Sequence, residues 1–296
     1  MNQKRYLGLE LSGAKNSKTT LATLEYYPKE KKCFLLDVHT GIGTDENAHA
    51  DDALIETILE HADEHPDMKI GVNVPTTLPP ALTTPNGTSE IKWMKIFAAK
   101  SKLIQPPKKR TSKRNARMKD FFTPYTQRPV ELWLKYEVMA KLPEKMRFEI
   151  DEAMGGNKAP LTARMFFLKS YLKNYEIHEV LPKLTVALLA PELKISHKTI
   201  KQHRQLEDGA SARQVIIEKM CDHLDIFIYD RDLKKLTQNL TAFDAFLCAY
   251  TVLLFDRNEC VNPPKGFPIQ SGWVRYPKSK LLDPNFDYGS DEELED

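Results

Sequence analysis

The run YLGLELSG, Tyr6 to Gly13, is the stretch on which the fold turns. Side chains alternate along a strand, so Leu7, Leu9 and Leu11 share one face while Tyr6, Gly8 and Glu10 share the other. The run reads as the first strand of a buried sheet, with a carboxylate at Glu10 among apolar neighbours. An unpaired buried carboxylate is costly. Glu10 must therefore be solvated, paired with a cation or set beside a metal.

Outward from this strand, the polar turn SGAKNSK leads to a second strand over Thr19 to Tyr27. PKEKK then turns the chain into a third strand, Cys33 to His39. Two hairpins in succession make an antiparallel three-strand meander. Ala53, Leu54, Ile58 and Ala62 follow at helical spacing, with Asp51 and Asp52 where the helix dipole favours acids. Met68 to Val74 is a short buried strand ended by Pro75. A helix leading to a strand predicts a right-handed crossover onto the same sheet.

Beyond Pro75 the pattern breaks. TTLPPALTTPNGTSE reads as loop, and the basic run PPKKRTSKRNARMKD lies in the same insertion, at about 79–160. Helical periodicity resumes over Pro129 to Lys141 and Leu161 to Leu172. A short strand, Tyr175 to Leu181, and a helix through Leu189 follow. Ala210 to Leu224 is amphipathic, and Thr241 to Phe255 is apolar nearly all round, as a helix buried against a sheet must be. Residues 1–282 read as one domain with an insertion, and 283–296 as an acidic, disordered tail.

The chain of 296 residues has a net charge of +2, but the charge is uneven. The tail from Asp283 holds seven acids and no base; without it the net charge is +9. Seven Lys or Arg residues fall in the run Pro106 to Asp120, among them Lys108, Lys109, Arg110, Lys113, Arg114 and Arg117. Such a run suits a phosphate backbone, with counterion release supplying affinity; a solvated loop is the plain alternative. No apolar run approaches the roughly 20 residues of a membrane span, and no signal-peptide core follows the basic start. Cys33, Cys221, Cys248 and Cys260 lie far apart, without a C-x-x-C pair. A cytoplasmic protein without structural zinc is the expectation.

In type and order, several segments resemble one family. GLELSGAKNSKTTLATLEY is similar to the first hairpin of the ribonuclease H-like fold, IGVNVPTTLPP to its fourth strand, and FDAFLCAYTVLLF to its late acidic helix. TPYTQRPVELWL, ARMFFLKSYL, EVLPKLTVALL and SGWVRYP extend the likeness from Tyr6 to Pro277. Together they resemble domain-of-unknown-function family 429, predicted nucleases of that fold. The resemblance implies an α/β architecture with a mixed sheet: the meander, then helix–strand crossovers.

It also implies a site. Acids from the first strand, the fourth strand and the late helix of this fold meet at one sheet edge and hold Mg²⁺ or Mn²⁺, hard cations that suit carboxylate oxygens. A cation pair about 4 Å apart activates water and stabilises the leaving oxygen of a phosphodiester. By resemblance Glu10, Asn73 and Asp244 take these positions, with Glu10 and Asp244 as metal ligands. Two departures stand out. Glu10 is one methylene longer than the usual Asp, and Asn73 brings no negative charge. Glu131 or Glu179 would complete the acid set.

Each residue has a plainer reading. Glu10 pairs with Lys15 or Lys18; Asn73 ends a strand; Asp244 serves the dipole of a helix capped by Thr241. Arg128 clamps a phosphate, or pairs with Glu131 three residues on. Phe121, Phe122, Tyr125 and Trp133 stack on bases or pack the insertion. The functional expectation is a metal-dependent nuclease acting on nucleic acid. Its alternative is a nucleic-acid-binding protein of the same fold with weakened catalysis. An actin-like or sugar-kinase-like phosphotransferase would need a second phosphate hairpin, which the sequence lacks.

Overall fold

The alternation seen from Tyr6 to Leu11 decides which helix layer covers which face of the sheet. In the computed structural model, which describes residues 3–13, 19–43, 49–63, 65–83, 89–104, 122–286 and 288, this segment is β1 (Lys4–Glu10). β2 (Thr19–Tyr27) and β3 (Lys32–Ile42) complete the antiparallel meander, with Glu10 opposite Thr20 and Leu24 opposite Leu35. Lys31 closes the β2–β3 turn in the left-handed region, at φ 56°. After α1 (Ala50–Asp63), β4 (Lys69–Val72) lies parallel beside β1, with Val72 opposite Leu9. The helix therefore leads onto the same sheet, as expected of a crossover connection.

Between β4 and β5 (Glu176–Val180) the chain forms α2 (Pro80–Thr83), α3 (Ser89–Ile104), α4 (Pro129–Trp133) and α5 (Lys158–Tyr171). α6 (Pro182–Leu193), α7 (His197–Gln202) and α8 (Gly209–His223) come next, then β6 (Ile226–Phe227), α9 (Asp230–Gln238), α10 (Leu240–Asp256) and β7 (Val274–Arg275). The strands make one mixed α/β sheet in the order β6-β3-β2-β1-β4-β5-β7, with β1, β4, β5 and β7 parallel.

Leu7, Leu9, Ile70 and Val72 pack under Leu54 and Ile58 of α1 and Met165 and Leu168 of α5. On the other face α10 crosses the sheet, buried from Ala242 to Leu254. It comes so close because two strand residues lack side chains. A Cβ on Gly8 would sit 1.8 Å from the Ala245 carbonyl oxygen, and one on Gly71 2.4 Å from that of Cys248. Asn239, rather than Thr241, caps α10, accepting from the Thr241 and Ala242 amides. The Thr241 hydroxyl instead bonds Thr20 of β2 at 2.9 Å.

Two expectations need correction. Helical periodicity is expected to resume only at Pro129, yet α3 already forms earlier in the insertion, over sixteen residues. Its inner face is Trp93, Met94 and Phe97. Trp93 stacks on Phe97 with ring centres 4.6 Å apart, and Phe97 meets Trp133 at 5.9 Å. The predicted helix Pro129 to Lys141 is regular only to Trp133 and widens to a π turn over Leu134–Val138. Among the described residues no single helix is long and apolar enough to cross a membrane. Lys108, Lys109, Arg110, Lys113, Arg114, Arg117, Lys15, Lys18 and the acidic end of the tail lie outside the described residues.

Candidate functional site at the strand ends

In open α/β sheets, ligands collect outside the carboxyl ends of parallel strands. Here β1 ends on Glu10, β4 runs into Asn73 and β5 ends at Glu179 and Val180. The close crossing at Gly8 brings the first turns of α10, and with them Asp244, to the same edge. Glu10, Asn73 and Asp244 therefore lie together at this edge.

Their pairing is specific. The Asn73 amide nitrogen donates to Glu10 Oε2 at 2.8 Å. Arg204 donates one N–H to each oxygen of the buried Asp244, both at 2.8 Å. Lys158, the first residue of α5, donates its ammonium to the Asn73 carbonyl at 3.1 Å. Crowding strips water from Glu10 and pushes it up to about 8, with the Asp244 carboxylate adding to the rise. Burial raises Asp244 too, against the pull of Arg204.

Glu10 is consequently protonated below about pH 8 in the folded protein. An unfolded chain ionises the same group near 4.5, so across that window the folded state holds the extra proton. Stability should fall as pH rises, by up to about 1.4 kcal/mol per pH unit for one proton. Burial holds His178 and His203 neutral, down to about 4; they act oppositely, losing stability as pH falls below 6.5. We expect the difference in urea-unfolding free energy between wild type and Glu10→Gln to isolate the first effect. Parallel curves from pH 5 to 8 would refute it.

A second polar cluster borders the first. Arg128 is fully buried, and its N–H groups are taken by Glu131, Glu179 and the Thr77 hydroxyl. Glu131 also accepts the Arg128 backbone amide in a capping box that starts α4. Glu179 accepts the Thr76 amide at 3.1 Å. Arg128 is thus committed to internal carboxylates, which leaves no fork for a phosphate. Glu131 and Glu179 lie in this triad and not in the Glu10 pair.

The two clusters share a cavity of about 210 Å³ lined by Asn73, Lys158 and Arg204 on one side and Arg128, Glu131 and Glu179 on the other. Lys183, at the start of α6, also lines it, its ammonium 4.3 Å from the Phe148 ring centre. Lys158 and Arg204 were not anticipated. Arg204 sits in the QHRQLEDG connection between α7 and α8, where no periodicity marks it.

Does this set suit Mg²⁺ or Mn²⁺? A hard cation needs several oxygen ligands at about 2.0–2.1 Å. Both Asp244 oxygens accept from Arg204, and Asn73 offers Glu10 a hydrogen rather than sharing a cation with it. Among the described residues, no group of three or more His, Cys, Asp or Glu side chains is placed to hold a metal ion. As arranged, the set pairs internally and does not fit a two-cation centre. No family model, no curated protein and no solved structure matches the chain.

Proposed function

We propose that the protein is a nucleic-acid-binding protein of the ribonuclease H-like fold whose acidic edge carries little or no phosphodiester hydrolysis. The strand order and the meeting of Glu10, Asn73 and Asp244 support the fold. The seven basic residues of Pro106 to Asp120 support an anionic polymer as ligand. One observation carries the loss of catalysis: the Arg204 guanidinium holds both oxygens of Asp244. In an active centre that carboxylate would face a metal ion instead.

The nuclease reading rests on the same convergence of acids and requires Arg204 to leave Asp244. The test is a panel of labelled single-stranded, duplex and branched DNA and RNA, with and without Mg²⁺ or Mn²⁺. Wild type should bind in a salt-sensitive manner and leave the strands intact. Metal-dependent cleavage by wild type, lost in Glu10→Ala/Asp244→Ala, would replace this reading with the nuclease. Absence of both binding and cleavage would remove nucleic acid from the account.

A further inference from the structure

The outer face of α3 has no part in the site described above. Lys92, Lys95, Ile96, Ala99 and Lys100 are all exposed, Ile96 to 50%. At 3.6 residues per turn they fall within an arc of roughly 140°. The opposite arc is Trp93, Met94, Phe97 and the buried Ser101. Trp93 also meets Phe267 edge-on at 5.2 Å, and Phe97 lies 6.5 Å from Tyr136. Aromatic packing on one side thus fixes which way the helix faces, and the lysines cannot turn inward.

The acid at this end of the helix is already engaged: Glu90 accepts from the Gln270 amide at 2.9 Å. By its position Glu90 falls on the inner arc, so among the described side chains the exposed arc carries three cations and no carboxylate. Lys92 to Lys100 span about 12 Å along the axis, which matches three or four phosphates of one strand at about 3.4 Å each. Trp133, against which Phe97 packs, ends α4, the helix that carries Glu131 to the cavity wall. The stripe is therefore held in fixed relation to the strand-end cavity.

We propose that the Lys92–Lys95–Lys100 face of α3 is a docking surface for the phosphate backbone of a nucleic acid, an inference that rests on the nucleic-acid-binding reading. Charge complementarity identifies the occupant, and the contact reads phosphates rather than bases.

The experiment uses the full chain and fluorescein-labelled 30-mer DNA and RNA, single-stranded and duplex, in anisotropy titrations over a salt series. Lys92→Glu/Lys95→Glu/Lys100→Glu is compared with Lys29→Glu/Lys198→Glu/Lys201→Glu, the same charge change on exposed lysines elsewhere. The α3 variant should bind about tenfold or more weakly, with a log–log salt slope shallower by roughly 2 to 3. The control should keep most of its affinity and its slope. Equal losses in both variants, or wild-type binding by the α3 variant, would overturn the docking surface while leaving nucleic-acid binding intact. Failure of the wild type to bind any oligonucleotide would overturn the parent reading as well. Cosedimentation of the wild type with phosphatidylserine vesicles but with no oligonucleotide would assign the face to a lipid surface instead.

Discussion

Gly8→Ala should destabilise the protein by more than about 3 kcal/mol, the upper end for overpacking a core, or prevent its folding. The added methyl would meet the Ala245 carbonyl oxygen at 1.8 Å and the Ala249 amide nitrogen at 2.4 Å. Both are backbone atoms of a helix buried along its length, so neither can swing aside as a side-chain tip would. β1 is equally fixed, paired with β2 on one side and β4 on the other. Relief must come from moving α10 off the sheet, which opens space along both elements. Urea unfolding followed by circular dichroism reads the cost. A midpoint equal to wild type would show that α10 does not cross β1 at this distance. If the variant folds with the helix displaced, Asp244 moves away from Glu10, and Glu10 should ionise nearer the ordinary carboxylate range.

Arg128→Ala should cost about 3–5 kcal/mol at pH 7.5, the range for removing one partner from a buried ion pair. The variant leaves Glu131 and Glu179 facing each other with one guanidinium fewer, both less than a tenth exposed. Burial already raises Glu131, and Arg128 is the largest influence that opposes the rise. Without it Glu131, whose folded-state value already lies above the unfolded one, must climb further and take up a proton more readily. Stability of the variant is then greatest at low pH and falls as pH rises, so the deficit relative to wild type should shrink towards pH 5. Arg128→Ala/Glu131→Gln should recover part of the loss at pH 7.5, because one unpaired charge is gone. A deficit independent of pH, with no recovery in the double variant, would mean that the triad holds by packing rather than by charge.

Much of the sheet is legible because local chemistry and tertiary role coincide there. Leu7, Leu9 and Leu11 do face one core while Tyr6 and Gly8 face the other, as alternation alone requires. The apolar surround of α10 foretold its burial. Two-residue strands such as β6 and β7 carry too few side chains for any period, and only their neighbours define them. α3 escaped notice because its lysines dilute the apolar stripe, while Trp93 and Phe97 find their partners far along the chain in Phe267 and Trp133.

At the site, the residue types of Glu10, Asn73 and Asp244 were visible, and the departure at Asn73 already weakened a metal centre on paper. The cations that neutralise the edge were not. Lys158 and Arg204 reach it from a helix start and a connecting turn, where charge is common and position is set only by the fold. Arg128 and Glu131 show the opposite case. Their i, i+3 spacing offered the pair only as the alternative to a phosphate clamp, and Glu179, which completes the triad, comes from a strand 51 residues away from Arg128.

The crossing of α10 over β1 and β2 also sets an order of events during synthesis. Thr20 and Thr241, hydrogen-bonded in the finished protein, lie 221 residues apart. At about 5–20 residues per second, roughly ten to forty-five seconds separate their emergence from the ribosome. For that interval the meander can pair its strands but cannot cover the face that bears Tyr6, Ala22 and Leu24. A half-made sheet with a bare apolar surface is a substrate for holding chaperones and a hazard for aggregation. Truncated chains released before residue 240 should therefore be captured or precipitate, although the strands of the meander are complete.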